Sequence, residues 1–105
     1  MRANAKQLKE IVRRIIEVAH PLRIILFGPA ARGEMTKDSD IDLMVVMPPG
    51  THRRHVAQDL FEQVGGVGRP LDFVVATSED LERHKDTIGL IYRTVLREGK
   101  DIYAA

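Results

Sequence analysis

Hydrophobic positions run along this chain in two rhythms. From residue 5 to residue 19, Leu8, Ile11, Val12, Ile15, Ile16 and Ala19 recur at helical spacing, and Lys9, Arg13, Arg14 and Glu17 fill the opposite face. That pattern predicts an amphipathic helix with Asn4 as its cap and Pro21 just past its end. Leu22 to Phe27 is short, apolar and β-branched, and it is stopped by Gly28-Pro29, so it predicts a strand. Ala30 to Glu34 has room for a turn or two of helix, and Met35 to Ser39 reads as a loop. Ile41 to Met47 is apolar at nearly every position, the mark of a central strand covered on both faces. After Pro48-Pro49-Gly50, Thr51 is the expected cap of a helix reaching about Val64, with Val56, Leu60, Phe61 and Val64 on its inner face. The glycine-rich stretch from Gly65 to Pro70 reads as a plain linker into a third strand, Leu71 to Thr77. Ser78 is expected to cap a further helix, with Glu79 and Asp80 in its first turn. A last helical segment runs from Gly89 to Arg97 and ends at Gly99, after which Ile102 and Tyr103 pin the tail to the body.

The order of elements constrains how they assemble. The glycine turn follows the first strand, whereas Asp40 and Asp42 open the second, so the two meet only if these strands are antiparallel. Asp72 opens the third strand as Asp42 opens the second, and a helical connection joins them, which suits a parallel crossover. The expected fold is α/β (α+β): a small mixed sheet of about three to four strands with helices packed on it. A length of 105 residues predicts one domain, residues 1–105. A net charge of +1 argues against nucleic-acid or membrane binding through bulk charge. There is no cysteine, hence no disulfide framework and no thiolate metal site. No apolar run approaches the roughly 18 residues of a membrane span, and the first residues do not read as a signal peptide. A soluble, cytoplasmic protein is expected.

The chemistry concentrates between Leu26 and Val46. Residues two apart on a strand share a face, so Asp40 and Asp42 project together. Adjacent carboxylates repel unless a cation neutralises them, and an all-oxygen donor set favours a hard ion such as Mg²⁺. The plainer alternative is that strand-end aspartates cap turns. The glycine turn beside them offers backbone N–H groups suited to phosphate. It is not a Walker A loop, because Glu34 stands where lysine is required. Arg32 is placed either to touch a phosphate or to pair with a nearby carboxylate and hold the loop. Ser39 reads as a turn residue beside the site, and Lys37 and Asp38 as solvated loop. His52 and His55 are three apart, a spacing that suits a metal, but they lack a third ligand and read as a wet helical face. His20 and His84 have no evident partner, and Tyr92, Arg93 and Arg97 read as helix surface.

Gly28, the Ala31-Arg32-Gly33-Glu34 segment and Ser39-Asp40-Ile41-Asp42-Leu43, followed by Asp72, resemble the nucleotidyltransferase superfamily of DNA polymerase β. The likeness is greatest to its minimal nucleotidyltransferases, often encoded beside a HEPN-domain partner, and it spans essentially the whole chain. It implies a DNA polymerase β-like nucleotidyltransferase fold, with ATP as substrate and two Mg²⁺ ions held by Asp40, Asp42 and Asp72. The resemblance further implies that Asp72 helps deprotonate the attacking hydroxyl, that attack falls on the α-phosphorus and that pyrophosphate leaves. Gly28, Pro29, Ala30, Arg32 and Ser39 would form the nucleotide-binding set. Pro29 departs from the pattern, because the family usually has serine there. Proline has neither hydroxyl nor N–H, so weaker nucleotide binding is expected, with the N–H groups of Ala30 and Ala31 carrying more of it.

A chain this short has little room for an acceptor-binding domain, so a separate chain should present the acceptor. The resemblance points to a HEPN toxin tyrosine, with this protein as the antitoxin of a toxin–antitoxin pair. Two other functions compete with it. One is a catalytically weak binding module that neutralises its partner by occlusion. The other is a small-molecule nucleotidyltransferase of the aminoglycoside-modifying kind, acting as a homodimer.

Overall fold

A computed structural model describes residues 5–36, 39–66 and 68–105. The elements are α1 (Ala5–Ala19), β1 (Arg23–Phe27), α2 (Gly28–Arg32), β2 (Ile41–Met47), α3 (Arg53–Gln63), β3 (Leu71–Thr77), α4 (Ser78–His84), α5 (Ile91–Glu98) and β4 (Lys100–Ala104). The four strands form one sheet in the order β3-β2-β1-β4. β1 is antiparallel to β2 and to β4, and β2 is parallel to β3 through the α3 crossover.

Strand alternation divides the core between the two faces of the sheet. Ile24 and Leu26 of β1 and Ile41, Leu43, Val45 and Met47 of β2 point to the side of α1 and α3, where they meet Ile11, Ile15, Leu60 and Val64. Ile25, Met44, Val46 and Ala76 point the other way and are covered by Leu81 of α4 and Val95 of α5. β2 is apolar on both faces because it is covered on both. Asp42 and Asp72 belong by alternation to the α4–α5 side, one step before Met44 and Val74.

Several expectations need correction. The N-cap of α3 is His52, whose Nδ1 accepts the His55 N–H at 3.1 Å. Thr51 instead donates its hydroxyl to the Pro48 carbonyl at 2.7 Å. α4 is capped by Thr77, not Ser78, in a reciprocal box with Asp80. Phe61 is 78% exposed rather than packed, because the inner stripe of α3 follows Leu60 and Val64. α2 begins at Gly28, two residues earlier than its apolar content suggested. The tail is a full edge strand: Arg23 of β1 pairs with Asp101 of β4 through an ion pair of 2.7 Å. Asn4, Lys37 and Asp38 lie outside the described residues.

Candidate active site

The site is built at one end of the sheet by strand register. Phe27, the last residue of β1, lies opposite Asp42 of β2, and Asp42 lies opposite Asp72 of β3. Phe27, Asp42 and Asp72 therefore stand in a row across three neighbouring strands, with Gly28 next after Phe27 at the start of α2. Asp40 precedes β2 on irregular backbone and is exposed, as is Asp72, whereas Asp42 is half-buried.

Gly28 and Asp42 need each other's geometry. Gly28 has φ +69, a conformation that only glycine adopts without strain, and a Cβ on it would run into the Asp42 carboxylate. The carboxylate thus lies directly over the bare glycine. Burial is the main cause that raises the Asp42 carboxyl above its ordinary pKa, followed by the negative charges of Asp72 and then Asp40; Arg32 opposes them.

Arg32 pairs with a carboxylate, one of its two expected roles. Its Nε donates to Glu34 at 2.9 Å, and its guanidinium stands 3.9 Å from Glu98. Its field still reaches Asp42. Pro29 occupies the first turn of α2, where a missing N–H leaves no helical bond unmade, and its carbonyl accepts the N–H of Glu34 at 2.9 Å. Ala30 and Ala31 are buried beneath this turn. Ser39, just before Asp40, is bonded to Thr36: its Oγ accepts the Thr36 N–H at 2.9 Å, and its own N–H donates to the Thr36 carbonyl at 3.1 Å.

The sequence-expected ligands on this rim, Asp40, Asp42 and Asp72, offer carboxylate oxygen. Such a set fits a hard cation such as Mg²⁺, and the absence of a side chain on Gly28 is what leaves the Asp42 carboxylate its place. Among the described residues no three His, Cys, Asp or Glu side chains are already drawn into a metal cage.

A groove of about 430 Å³ leads away from Gly28 and Arg32, past Phe27, to Leu90, Ile91 and Thr94. A larger recess of about 570 Å³ lies at the other end of β2, around His52, Arg53 and Arg54, away from the carboxylates. His52 and His55 sit there edge to face at 6.2 Å, with His55 Nε2 3.5 Å from Asp59. His84, for which the sequence offered no partner, stacks on Tyr92 at 5.7 Å. Arg69, within the presumed linker, donates to the carbonyls of Thr36 and Ser39, the second immediately before Asp40. No periodic or motif signal marks it, because its partners are backbone atoms of a distant segment.

A family model described as a nucleotidyltransferase domain matches residues 5–102. A comparison with curated proteins finds no match. Among solved structures, a Sulfolobus solfataricus protein assigned as a nucleotidyltransferase is 23% identical, with a TM-score of 0.57 over 94% of this chain and 78% of its own. A toxin–antitoxin structure with AMP-PNP is 22% identical, with a TM-score of 0.58 over 98% of this chain and 75% of its own. These two likenesses carry the fold, and the family model carries the membership. The chain belongs to the nucleotidyltransferase domain family.

Proposed function

We propose that this protein transfers AMP from ATP to a hydroxyl of a partner protein, a HEPN toxin tyrosine, and acts as the antitoxin of that pair. The observation that carries the reading is the register that pairs Phe27 with Asp42 and Asp42 with Asp72, so that Gly28, next after Phe27, falls beside the two carboxylates. The likeness to a toxin–antitoxin structure with AMP-PNP supports the partner class and the nucleotide.

Each residue then has a physical task. Gly28 lets the chain turn beside the Asp42 carboxylate without a side chain, and the Ala30 amide, left over in the first turn of α2, is a donor for the triphosphate's charge. Asp40, Asp42 and Asp72 would hold Mg²⁺, which when bound neutralises charge on the phosphate oxygens and on the leaving pyrophosphate. Asp72 lies on the edge strand β3 and is exposed, so an acceptor reaches it from outside the sheet. Its carboxylate takes the proton of the incoming hydroxyl. The hydroxyl oxygen bonds to the α-phosphorus while the bond to the pyrophosphate oxygen breaks. In this reading the acceptor enters on the β3 side and the pyrophosphate leaves on the β1 side, as in-line displacement requires. Positioning and charge neutralisation supply most of the acceleration in such chemistry.

Pro29 favours a second reading, occlusion without transfer, because one phosphate contact is missing. Co-expression with the neighbouring toxin, followed by intact mass measurement, separates the two. Transfer predicts a toxin heavier by one or more AMP units, and Asp42→Asn should abolish both the adduct and silencing. Silencing that survives Asp42→Asn would establish occlusion. Label passing from ATP only to an aminoglycoside would refute both.

A further inference from the structure

Asp42 and Asp72 are fixed by the β ladder, but Asp40 stands before β2 with no ladder partner. Three like charges at one rim repel, and the carboxylate on irregular backbone is the one free to swing away. The structure contains a tether against that movement. One terminal nitrogen of Arg69 donates to the carbonyls of Thr36 and Ser39, each at 2.9 Å. Ser39 immediately precedes Asp40, and Arg69 lies three residues before Asp72. The next contact continues the seam: the Ile41 N–H donates to the Pro70 carbonyl at 3.0 Å, leading into the first ladder pair, Ile41 with Leu71.

We propose that Arg69 is a positioning residue for the carboxylate rim: by tying the carbonyls of Thr36 and Ser39 to the start of β3, it fixes Asp40 against Asp42 and Asp72 and so sets the rim's affinity for a divalent cation. This inference rests on the reading of the rim as a cation site. The chemistry suits arginine. Hydrogen bonds from a charged donor are stronger than neutral ones, and a planar guanidinium holds its donors in a fixed geometry that a rotating ammonium lacks. Thr36 and Ser39 are also bonded to each other, independently of Arg69. Losing the clamp therefore loosens Asp40 without unfolding the domain.

Manganese tests this directly, because free and bound Mn²⁺ are distinguished by electron paramagnetic resonance without any turnover. Arg69→Ala is expected to weaken Mn²⁺ binding by about 10- to 100-fold, the usual loss when a residue supporting metal ligands is removed. Arg69→Lys should recover part of it, and the Mg²⁺ needed for half-maximal transfer should rise in parallel. Arg69→Ala that binds Mn²⁺ as tightly as the wild type overturns the proposal. If that variant does not fold, Arg69→Lys carries the test, with several-fold weaker binding expected and unchanged binding overturning. Asp42→Asn is the control: if it binds Mn²⁺ like the wild type, the cation site itself is wrong. If it loses Mn²⁺ while Arg69→Ala keeps it, only the role of Arg69 fails.

Discussion

Asp42→Asn should make the metal-free protein more stable while removing its activity. The register places Asp42 beside Asp72 on adjacent strands, whose backbones run about 4.8 Å apart. Two unit charges about 5 Å apart repel by roughly 1 kcal/mol in a water-like dielectric and roughly 3 kcal/mol at an effective value of about 20. Asp72 is exposed, so the lower figure applies, and about 1 kcal/mol corresponds to a Tm rise of about 4–8 °C in a domain of this size. Asparagine matches the shape over Gly28 and removes the charge. The sign with pH follows from the raised carboxyl. The folded protein keeps the Asp42 proton to higher pH than the unfolded chain does. Stability from this site is therefore fullest below the ordinary carboxylate range and is lost as pH rises through the folded pKa. The advantage of Asp42→Asn should be full at neutral pH and shrink on acidification. Mg²⁺ should reverse the ranking, because a cation at about 100 times its Kd stabilises the wild type by about 2.7 kcal/mol and the variant far less. Thermal melts in EDTA and in Mg²⁺, from acid to neutral pH, check all three. An Asp42→Asn protein that melts below the wild type in EDTA at neutral pH would refute the repulsion. An equal gain from Mg²⁺ in both proteins would refute the cation site.

Pro29→Ser restores a hydroxyl and an N–H; one new hydrogen bond to a charged phosphate, roughly 1.5–3 kcal/mol, should tighten ATP by about 10- to 100-fold in calorimetry. Gly28→Ala forces a side chain to φ +69 and into the Asp42 carboxylate. A cost of at least about 1 kcal/mol in urea melts is expected, together with loss of Mn²⁺ binding. Thr77→Ala removes the cap of α4 and one side of its box with Asp80. That should cost about 1 kcal/mol in the same melts, with Mn²⁺ binding unchanged because Thr77 lies at the far end of β3.

The sheet core is readable from local apolar patterns, and the placing of Asp42 beside Asp72 from the order of elements. β2 is recognisable from its unbroken apolar run, and the antiparallel–parallel arrangement follows from requiring the glycine turn and the aspartates to meet. What escaped was set by distant or competing groups. β4 carries Lys100 and Asp101 at its start and no clean alternation; pairing with β1, including Arg23 with Asp101, makes it a strand. Thr77 and Ser78 are both good caps, and what decides between them is Asp80, three residues after Thr77, whose side chain returns the bond to the Thr77 N–H. His52 replaced Thr51 because the Thr51 hydroxyl was already engaged by Pro48. Arg69 was invisible as anything but linker, since its partners are carbonyls about thirty residues away in sequence.

The last strand also governs how the protein tolerates alteration at that end. Lys100 lies across from Leu26, and the Ala105 N–H donates to the Leu22 carbonyl, so β1 is flanked on both sides along its length. Proteolytic nicking after Gly99 would strip one flank of β1 and leave a bare row of amides and carbonyls, a template for strand exchange between molecules. The turn at Gly28 thus owes its steadiness to a segment that bears none of the chemistry and lies more than seventy residues downstream.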